Sequence, residues 1–248
     1  MGESGAFVRP ASVPKQVWLR YKTFRVEDIP DDRREECTQH FIDHFFQDEP
    51  LSSTFRKNNA AYSNEDLRQF IKNALEENCS LCAVDEANNN ALAGVTLVRV
   101  ASRAAPHRHQ EKDAALTSMK RLVAFLEHCH EGQDMFTYER GSSRVVVDHV
   151  LEPMGLSVSR EYRGQGIGQA LIEARHKMAV AVGMGATWGI YTSIYSQAII
   201  LRQGMRLLKE VPYDSYLENG VAFFAGLNPP HPSCKMIGGL LPQPLHAP

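Results

Sequence analysis

A glycine-rich turn between an apolar strand and a helix constrains this chain more than any other segment. It reads Leu156-Ser157-Val158-Ser159-Arg160-Glu161-Tyr162-Arg163-Gly164-Gln165-Gly166-Ile167-Gly168-Gln169. The first N–H groups of a helix have no acceptor within the helix, and glycines let a ligand approach them without a Cβ in the way. Together with the helix dipole, such a turn predicts an anion site that suits a diphosphate.

The glycine spacing separates three kinds of diphosphate site. A P-loop needs Lys followed by Ser or Thr after its last glycine, and this turn has neither. A Rossmann site has G-x-G-x-x-G and an acidic residue about 20 positions later that holds the ribose. Here the glycines read G-x-G-x-G, and no Asp or Glu occurs between Ala174 and Lys209. What remains is R-x-x-G-x-G after a strand that ends in L-x-V.

Charge and cysteine content exclude several classes of protein. The 248 residues include 27 Lys plus Arg and 29 Asp plus Glu, a net charge of −2. This balance lacks the basic excess of a nucleic-acid binder. The five cysteines are too few for a disulfide scaffold, and Cys79-x-x-Cys82 falls on a predicted strand, where positions three apart point to opposite faces. We therefore expect reduced thiols, a cytoplasmic protein and no bound metal.

One uncharged stretch, Met178–Leu201, is long enough to span a bilayer. Its glycines, threonines and serines instead predict a helix end, a turn, a buried strand and a new helix. The chain begins with an acidic segment and no apolar run, so no signal peptide is predicted. We expect a protein that does not enter membranes.

Strands and helices alternate along the chain, which predicts an α/β domain. We expect a leader over 1–17 and a single domain over 18–248, with a variable insert at about 101–141. The predicted strands are Val17–Val26, Ser80–Asp85, Ala91–Val100, Arg144–Val150, Leu151–Ser159, Ala186–Ser193, Met205–Tyr216, Val221–Ala225 and Lys235–Leu241. The predicted helices cover 31–47, a segment from Ser63, a segment carrying Leu116 to Cys129, Gln169–Val182 and Ser196–Gln203.

The turn resembles motif A of the GNAT acyltransferase superfamily in its fullest form, Arg-Gly-Gln-Gly-Ile-Gly. The resemblance implies a mostly antiparallel, twisted central sheet, splayed at the motif-A strand and flanked by helices. It also implies acetyl-CoA as cosubstrate, with the diphosphate on the turn and the pantetheine arm along the strand. The implied coenzyme-binding residues are Leu156, Ser157, Val158, Arg163, Gly164, Gln165, Gly166, Ile167, Gly168 and Gln169.

Further segments are similar to the insect-type arylalkylamine N-acetyltransferases. They are Asp48-Glu49-Pro50-Leu51, Tyr195-Ser196-Gln197, Glu210-Val211-Pro212-Tyr213 and Pro229-Pro230-His231-Pro232. One departure is Gly204-Met205, where the subfamily has Gly-Phe, and Met is a tolerable core substitute. The resemblance implies transfer of acetyl to the primary amine of a small arylalkylamine, by direct attack within a ternary complex.

This reaction requires a proton acceptor for the amine, a donor for the departing thiolate and an N–H for the oxyanion. The resemblance implies Glu49 as the base; from spacing alone, Glu49 is an ordinary exposed residue near a helix end. Glu152 and His149 are alternative bases. For the donor we favour Ser196, supported by Ser193 or Thr192, with Tyr195 as an alternative. Ser196 is also a possible N-cap, and the N–H of Val158 is the oxyanion candidate.

Other functions stay open at this stage. They are acylation of protein N-termini or lysines, transfer of a longer acyl chain, and coenzyme A binding without catalysis. The expected partners are acetyl-CoA and a small amine, without nucleic acid or membrane, and the expected assembly is a monomer or weak dimer. The sequence does not select the amine.

Overall fold

The computed structural model describes residues 7–58, 60–104, 117–227 and 229–242. The helices are α1 (Arg34–Asp48), α2 (Pro50–Lys57), α3 (Asn64–Glu76), α4 (Thr117–His130), α5 (Ile167–Ala181) and α6 (Ile194–Arg202). The strands are β1 (Val17–Tyr21), β2 (Phe24–Asp28), β3 (Leu81–Asp85), β4 (Ala91–Ser102), β5 (Thr137–Arg140), β6 (Ser143–Val146), β7 (His149–Val158), β8 (Ala186–Tyr191), β9 (Arg206–Pro212), β10 (Leu217–Glu218), β11 (Val221–Ala222) and β12 (Ser233–Leu240).

Eight strands form one sheet in the order β1-β2-β3-β4-β7-β8-β12-β9. Neighbouring strands are antiparallel except for β7 and β8, which are parallel. The pairs β5–β6 and β10–β11 are separate hairpins. The mixed sheet flanked by helices confirms the predicted fold class.

Helices cover both faces of the sheet because its strands carry apolar side chains on both. On one face, α1 and α3 bury Phe41 and Ile71 against Val84 and Leu97. On the other face, α5 buries Leu171 and its neighbours against β1 to β4. A third cluster lies between α2, α4 and the β8–β12–β9 side of the sheet. The parallel pair β7–β8 therefore sits in the interior, between helical layers.

Several sequence boundaries were wrong. The strand predicted over Val17–Val26 is two strands, because Lys22 adopts a φ of 55° and reverses the chain. The strand predicted to reach Tyr216 ends at Pro212. Residue Leu116, in the predicted insert helix, lies outside the described residues.

The prediction that Cys79 and Cys82 point to opposite faces of a strand is confirmed. Cys79 packs in the cluster on the α5 face and Cys82 in the cluster on the α1 face, so the two point to opposite sides of the sheet. All five cysteines are buried free thiols. None of the helices in the described part of the chain is long and apolar enough to cross a membrane.

Candidate acyl-transfer site

The strands β7 and β8 separate soon after they begin to pair, and we call the space between them the cleft. Their pairing covers only Val150 with Ala186 and Leu151 with Thr187, although both strands continue. Just beyond this point Pro153 offers no N–H, and the register with β4 skips Met154, which makes a bulge. A Cβ at Gly189 would lie 2.9 Å from Pro153 Cδ, so the two strands touch there through the proline ring instead of through hydrogen bonds.

Two backbone N–H groups of β7 point into this cleft. Ser159, the residue after β7, donates its N–H to Ala93 O of the neighbouring strand β4 at 3.0 Å. Since successive residues of a strand point their N–H groups in opposite directions, Val158 and Leu156 direct theirs away from β4. Ser157 instead turns its buried side chain toward α1, where its hydroxyl has no partner among the described residues.

The cleft leads to the open N-terminus of α5. The first helical hydrogen bond runs from Ala170 N to Gly166 O, at 3.1 Å. Gly166 is the N-cap, with φ 91°, and no described side chain caps the helix. Gly164 also lies in the left-handed region, with φ 77°. The N–H groups of Ile167, Gly168 and Gln169 therefore remain without helical acceptors, which is the arrangement that binds phosphate.

Basic side chains surround this loop. Lys22 Nζ donates to Gln165 O at 2.9 Å. Arg163 Nε donates to Val158 O at 3.0 Å, and its Nη2 lies 2.6 Å from Asp48 Oδ2. Arg160 contacts the other oxygen of Asp48 at 3.0 Å. Burial alone would raise the pKa of Asp48, but the hydrogen bonds from Arg163 and Arg160 outweigh it and lower that pKa.

Asp48 thus ties the end of α1 to the loop and places the next residue, Glu49, beside the cleft. Glu49 is the N-cap of α2, and Pro50 occupies the first helical position. Its Oε1 accepts from Leu51 N at 3.0 Å, and its Oε2 accepts from Ser52 N at 2.6 Å and Ser52 Oγ at 2.7 Å. These bonds fix the orientation of a half-buried carboxylate.

The Glu49 charge influences the pKa values of groups that come from several distant segments of the chain. Burial raises the pKa of Tyr62 and of Tyr213, and Glu49 raises both further. Burial lowers the pKa of His231, which Glu49 opposes. His231 Nδ1 accepts from Ile194 N at 3.4 Å, at the start of α6. Glu49 therefore lies within electrostatic reach of the segment before β12, which together with α6 we call the far wall of the cleft.

The serines named from the sequence lie at that far wall. Ser193, not Ser196, is the N-cap of α6, and its Oγ accepts from Tyr195 N at 3.2 Å. Ser196 Oγ donates to Ser193 O at 2.9 Å, since it already lies in the first turn. Thr192 O accepts from the Tyr213 hydroxyl at 2.7 Å. Tyr195 is exposed and packs edge-on to His231.

Glu152 and His149, the alternative bases, both lie on β7 and face opposite sides of the sheet. Glu152 is across from Arg99 on β4 and faces the α1 side; burial raises its pKa, which Arg99 opposes. His149 packs against Phe7 on the other side. Within the described ranges, no three His, Cys, Asp or Glu side chains are placed to hold a metal ion.

The aromatic residues of the region are mostly core. Phe46, Phe55 and Tyr213 are buried, whereas Phe45 and Tyr62 are partly exposed. Phe45 stacks on Phe41 and fills the space beside β7, where a Cβ at Gly155 would lie 2.8 Å from Phe45 Cζ. Of these five aromatic residues, Phe45 and Tyr62 are therefore the two whose side chains keep some exposed surface.

The mixed sheet with its parted parallel strands and open glycine turn is a fold that this chain shares with several solved structures. Among solved structures, the chain is similar to arylalkylamine N-acetyltransferase 2 from Aedes aegypti, with a TM-score of 0.75 and 24% identity over 89% of this chain and 100% of that one. It is also similar to a putative arylalkylamine N-acetyltransferase 7 from the same mosquito, with a TM-score of 0.73 and 24% identity over 95% and 100%. A polyamine N-acetyltransferase from Drosophila melanogaster, which forms N-acetylagmatine, matches with a TM-score of 0.69 and 19% identity over 88% and 100%. Comparison with protein-family models and with curated proteins gives no match.

Sequence reasoning missed the residues that reach the site from a distance. Lys22 belongs to a turn predicted as strand interior, so no signal marked it. The sequence analysis named Asp48 only as the first residue of the Asp48-Glu49-Pro50-Leu51 segment. In the structure it forms ion pairs with Arg160 and Arg163 of the loop. His231 was noted within a proline-rich segment, without a role.

Proposed function

We propose that the protein is an acetyl-CoA-dependent N-acetyltransferase that acts on the primary amine of a small molecule. The observation that carries the proposal is the continuous path from the open amides of α5 to the inward N–H groups of Val158 and Leu156. A long, thin ligand with a diphosphate at one end fits this path. Gly164 to Gln169 and the nearby Lys22 would hold the diphosphate, and β7 would hold the arm.

The thioester would then lie between the parted strands, with its carbonyl oxygen near the N–H groups of Leu156 and Val158. Such preorganised donors stabilise the oxyanion of acyl transfer. Arg163 holds the loop to β7 and α1 through Val158 O and Asp48, and its charge adds to the field at the diphosphate. No metal takes part in this scheme.

Glu49 is the proposed base. An alkylamine with a pKa of roughly 10, like that of lysine, is mostly protonated at neutral pH. The carboxylate is held at the start of α2 and is half-buried, and in this proposal it accepts the amine proton directly or through water. On the far wall, Ser193 and Ser196 are proposed to assist protonation of the thiolate. Ser196 Oγ already donates to Ser193 O, so this assistance passes through water.

The acceptor is proposed to be an arylalkylamine. Phe45 and Tyr62 are the partly exposed aromatic side chains on the α1 side of the cleft, next to Glu49. Aromatic faces bind both an aryl ring and an ammonium group. Agmatine and polyamines, the substrates named for similar structures, lack the ring and provide the contrast.

Thiol release from acetyl-CoA tests the activity with tryptamine, tyramine, dopamine, histamine, agmatine and a peptide. We expect turnover with aryl amines and little with the peptide. Turnover of the peptide alone, or of long-chain acyl-CoA only, would point to the other acyltransferases. Coenzyme A binding without any acetylated product would indicate a binding module.

Glu49→Gln tests the base, since it removes the basicity and keeps an oxygen that can cap α2. We expect kcat to fall by about 10²–10⁴, with acetyl-CoA affinity nearly unchanged. Ser52→Ala is the matched control, because it removes one hydrogen bond to Glu49 and leaves the carboxylate. If Glu49→Gln retained the kcat of Ser52→Ala, Glu49 would not be the base.

A further inference from the structure

The turn between β1 and β2 lies against the glycine loop. Lys22 Nζ donates to Gln165 O at 2.9 Å and lies 4.9 Å from the centre of the Tyr21 ring. A Cβ at Gly166 would lie 2.6 Å from the Tyr21 hydroxyl oxygen, so these two residues are in contact. The contacts hold the Lys22 ammonium at the edge of the loop, close to the first amide groups of α5.

Lys22 occupies a backbone position that usually belongs to glycine. Tyr21 pairs with Phe24, so Lys22 and Thr23 form a two-residue turn. The φ of Lys22 is 55°, and hairpin turns with a positive φ at this first position favour glycine there. Strained residues of this kind cluster at functional sites. The conformation therefore indicates a role for the lysine side chain itself.

Lys22 also carries a positive charge that no described carboxylate balances. The two arginines of the loop both pair with Asp48. Arg20, on the strand before the turn, pairs with Glu86 at 2.5 Å. Lys22 is exposed, and its hydrogen bond goes to a neutral carbonyl oxygen. Its ammonium is thus available to an anionic group of a ligand.

The neighbours of two loop glycines give the direction in which a ligand crosses the start of α5. A Cβ at Gly168 would lie 3.7 Å from Leu156 Cδ2 and 3.6 Å from Ile199 Cδ1, so Gly168 borders β7 and α6 at the cleft. Gly166, two residues earlier, borders Tyr21. A ligand that leaves the cleft and crosses the open amides of α5 therefore arrives at the turn between β1 and β2.

We propose that this turn forms a subsite for the 3′-phosphate on the ribose of coenzyme A, and that Lys22 binds this phosphate. The inference rests on the proposed function. In coenzyme A, the pantetheine arm, the diphosphate and the 3′-phosphorylated adenosine follow one another along the molecule. With the arm on β7 and the diphosphate on the amides of α5, the adenosine end lies beyond Gly166. Lys22 then borders the diphosphate and pairs with the third phosphate.

The chemistry of the third phosphate suits an exposed lysine. A phosphate monoester carries about two negative charges at neutral pH, and an ammonium on a flexible stem binds it as a point charge. An exposed ion pair contributes a few-fold in affinity, and salt weakens it. Lys22 should therefore distinguish coenzyme A from dephospho-coenzyme A, which lacks only this group.

Calorimetric titration with these two ligands at low ionic strength isolates the third phosphate, because they share the arm and the diphosphate. We expect the wild type to bind coenzyme A about fivefold more tightly than dephospho-coenzyme A. In Lys22→Met this preference should fall below about twofold, whereas Lys22→Arg should retain it. Added salt should reduce the preference of the wild type more than that of Lys22→Met.

Arg20→Met is the matched control. Arg20 is exposed, lies two residues before Lys22 and carries the same charge, but it is engaged by Glu86. Glu86 keeps Arg25 as a partner in this variant, at 2.8 Å. The preference for coenzyme A should stay near the wild-type value. An equal fall in Arg20→Met and Lys22→Met would overturn the proposal, because any positive charge nearby would then have the same effect.

The outcomes separate the two proposals. If the wild-type protein does not bind coenzyme A, the proposed function fails. If it binds without preferring coenzyme A over dephospho-coenzyme A, or if Lys22→Met keeps the preference, only the inference about Lys22 is overturned. An equal loss of affinity for both ligands in Lys22→Met would also overturn it, because Lys22 would then act on the diphosphate alone. The comparison of the two ligands on the wild type needs no substitution, so it does not depend on the folding of a variant.

Discussion

Replacement of Gly166 by alanine perturbs the coenzyme turn at its most restricted position. Gly166 has a φ of 91°, and a Cβ there would lie 2.6 Å from the Tyr21 hydroxyl oxygen. Gly164 is the matched control, because its φ is 77° and a Cβ there would have nothing within 4 Å. The two substitutions therefore share the backbone strain and differ in the clash.

The expected magnitudes follow from these two contributions. A left-handed conformation costs an alanine about 1–2 kcal/mol, so Gly164→Ala should lower the free energy of unfolding by that amount. An overpacked contact adds about 1–3 kcal/mol, so Gly166→Ala should lose about 2–5 kcal/mol. In a Tyr21→Phe background the nearest remaining ring atom is Cζ, 3.2 Å from the Cβ, and most of the added loss should disappear.

Urea unfolding of Gly166→Ala, Gly164→Ala, Tyr21→Phe and the Gly166→Ala/Tyr21→Phe double variant gives the coupling energy of the pair. We expect coupling of about 1–3 kcal/mol between positions 166 and 21. Equal losses for the two alanine variants, with no coupling to Tyr21, would refute the geometry described for the turn.

Two further predictions concern buried ionisable groups. Asp28→Ala should lower the free energy of unfolding by about 3–5 kcal/mol, because the Asp28 side chain is 1% exposed and its loss strands Arg9; urea unfolding that shows a loss below 1 kcal/mol would contradict it. Burial lowers the pKa of His40 to about 4, below the ordinary value of 6.5. The unfolded chain therefore binds a proton first as the pH falls below 6.5, and between about pH 7.5 and 5.5 the wild type should lose about 1.4 kcal/mol relative to His40→Gln. A constant difference between the two unfolding curves would disprove this.

The glycine turn could be predicted because its function and its local structure depend on the same few residues. The strand, the three glycines and the following helix are contiguous, so backbone rules alone describe them. The left-handed φ at Gly164 and Gly166, which the structure adds, is a conformation that glycine adopts without strain. In contrast, the separation of β7 from β8 depends on Pro153 meeting Gly189, a contact between segments far apart in sequence.

The site as a whole was only partly accessible to sequence reasoning for the same reason. Glu49 was identified through resemblance, but its bonds to Leu51 and Ser52 follow from a local cap. Arg175 gave no signal, since an arginine on an amphipathic helix is normally exposed. Arg175 is nevertheless 1% exposed, because α5 packs on β4 and β7, and no local pattern records that packing.

Backbone amide resonances of the protein titrated with coenzyme A test the central claim most directly. The account predicts that the largest ¹H–¹⁵N shifts fall on Gln165 to Gln169 and on Leu156 and Val158, and that pantetheine, which lacks the diphosphate, shifts only the last two. Binding of coenzyme A that leaves Gln165 to Gln169 unshifted, or no binding at all, would contradict it.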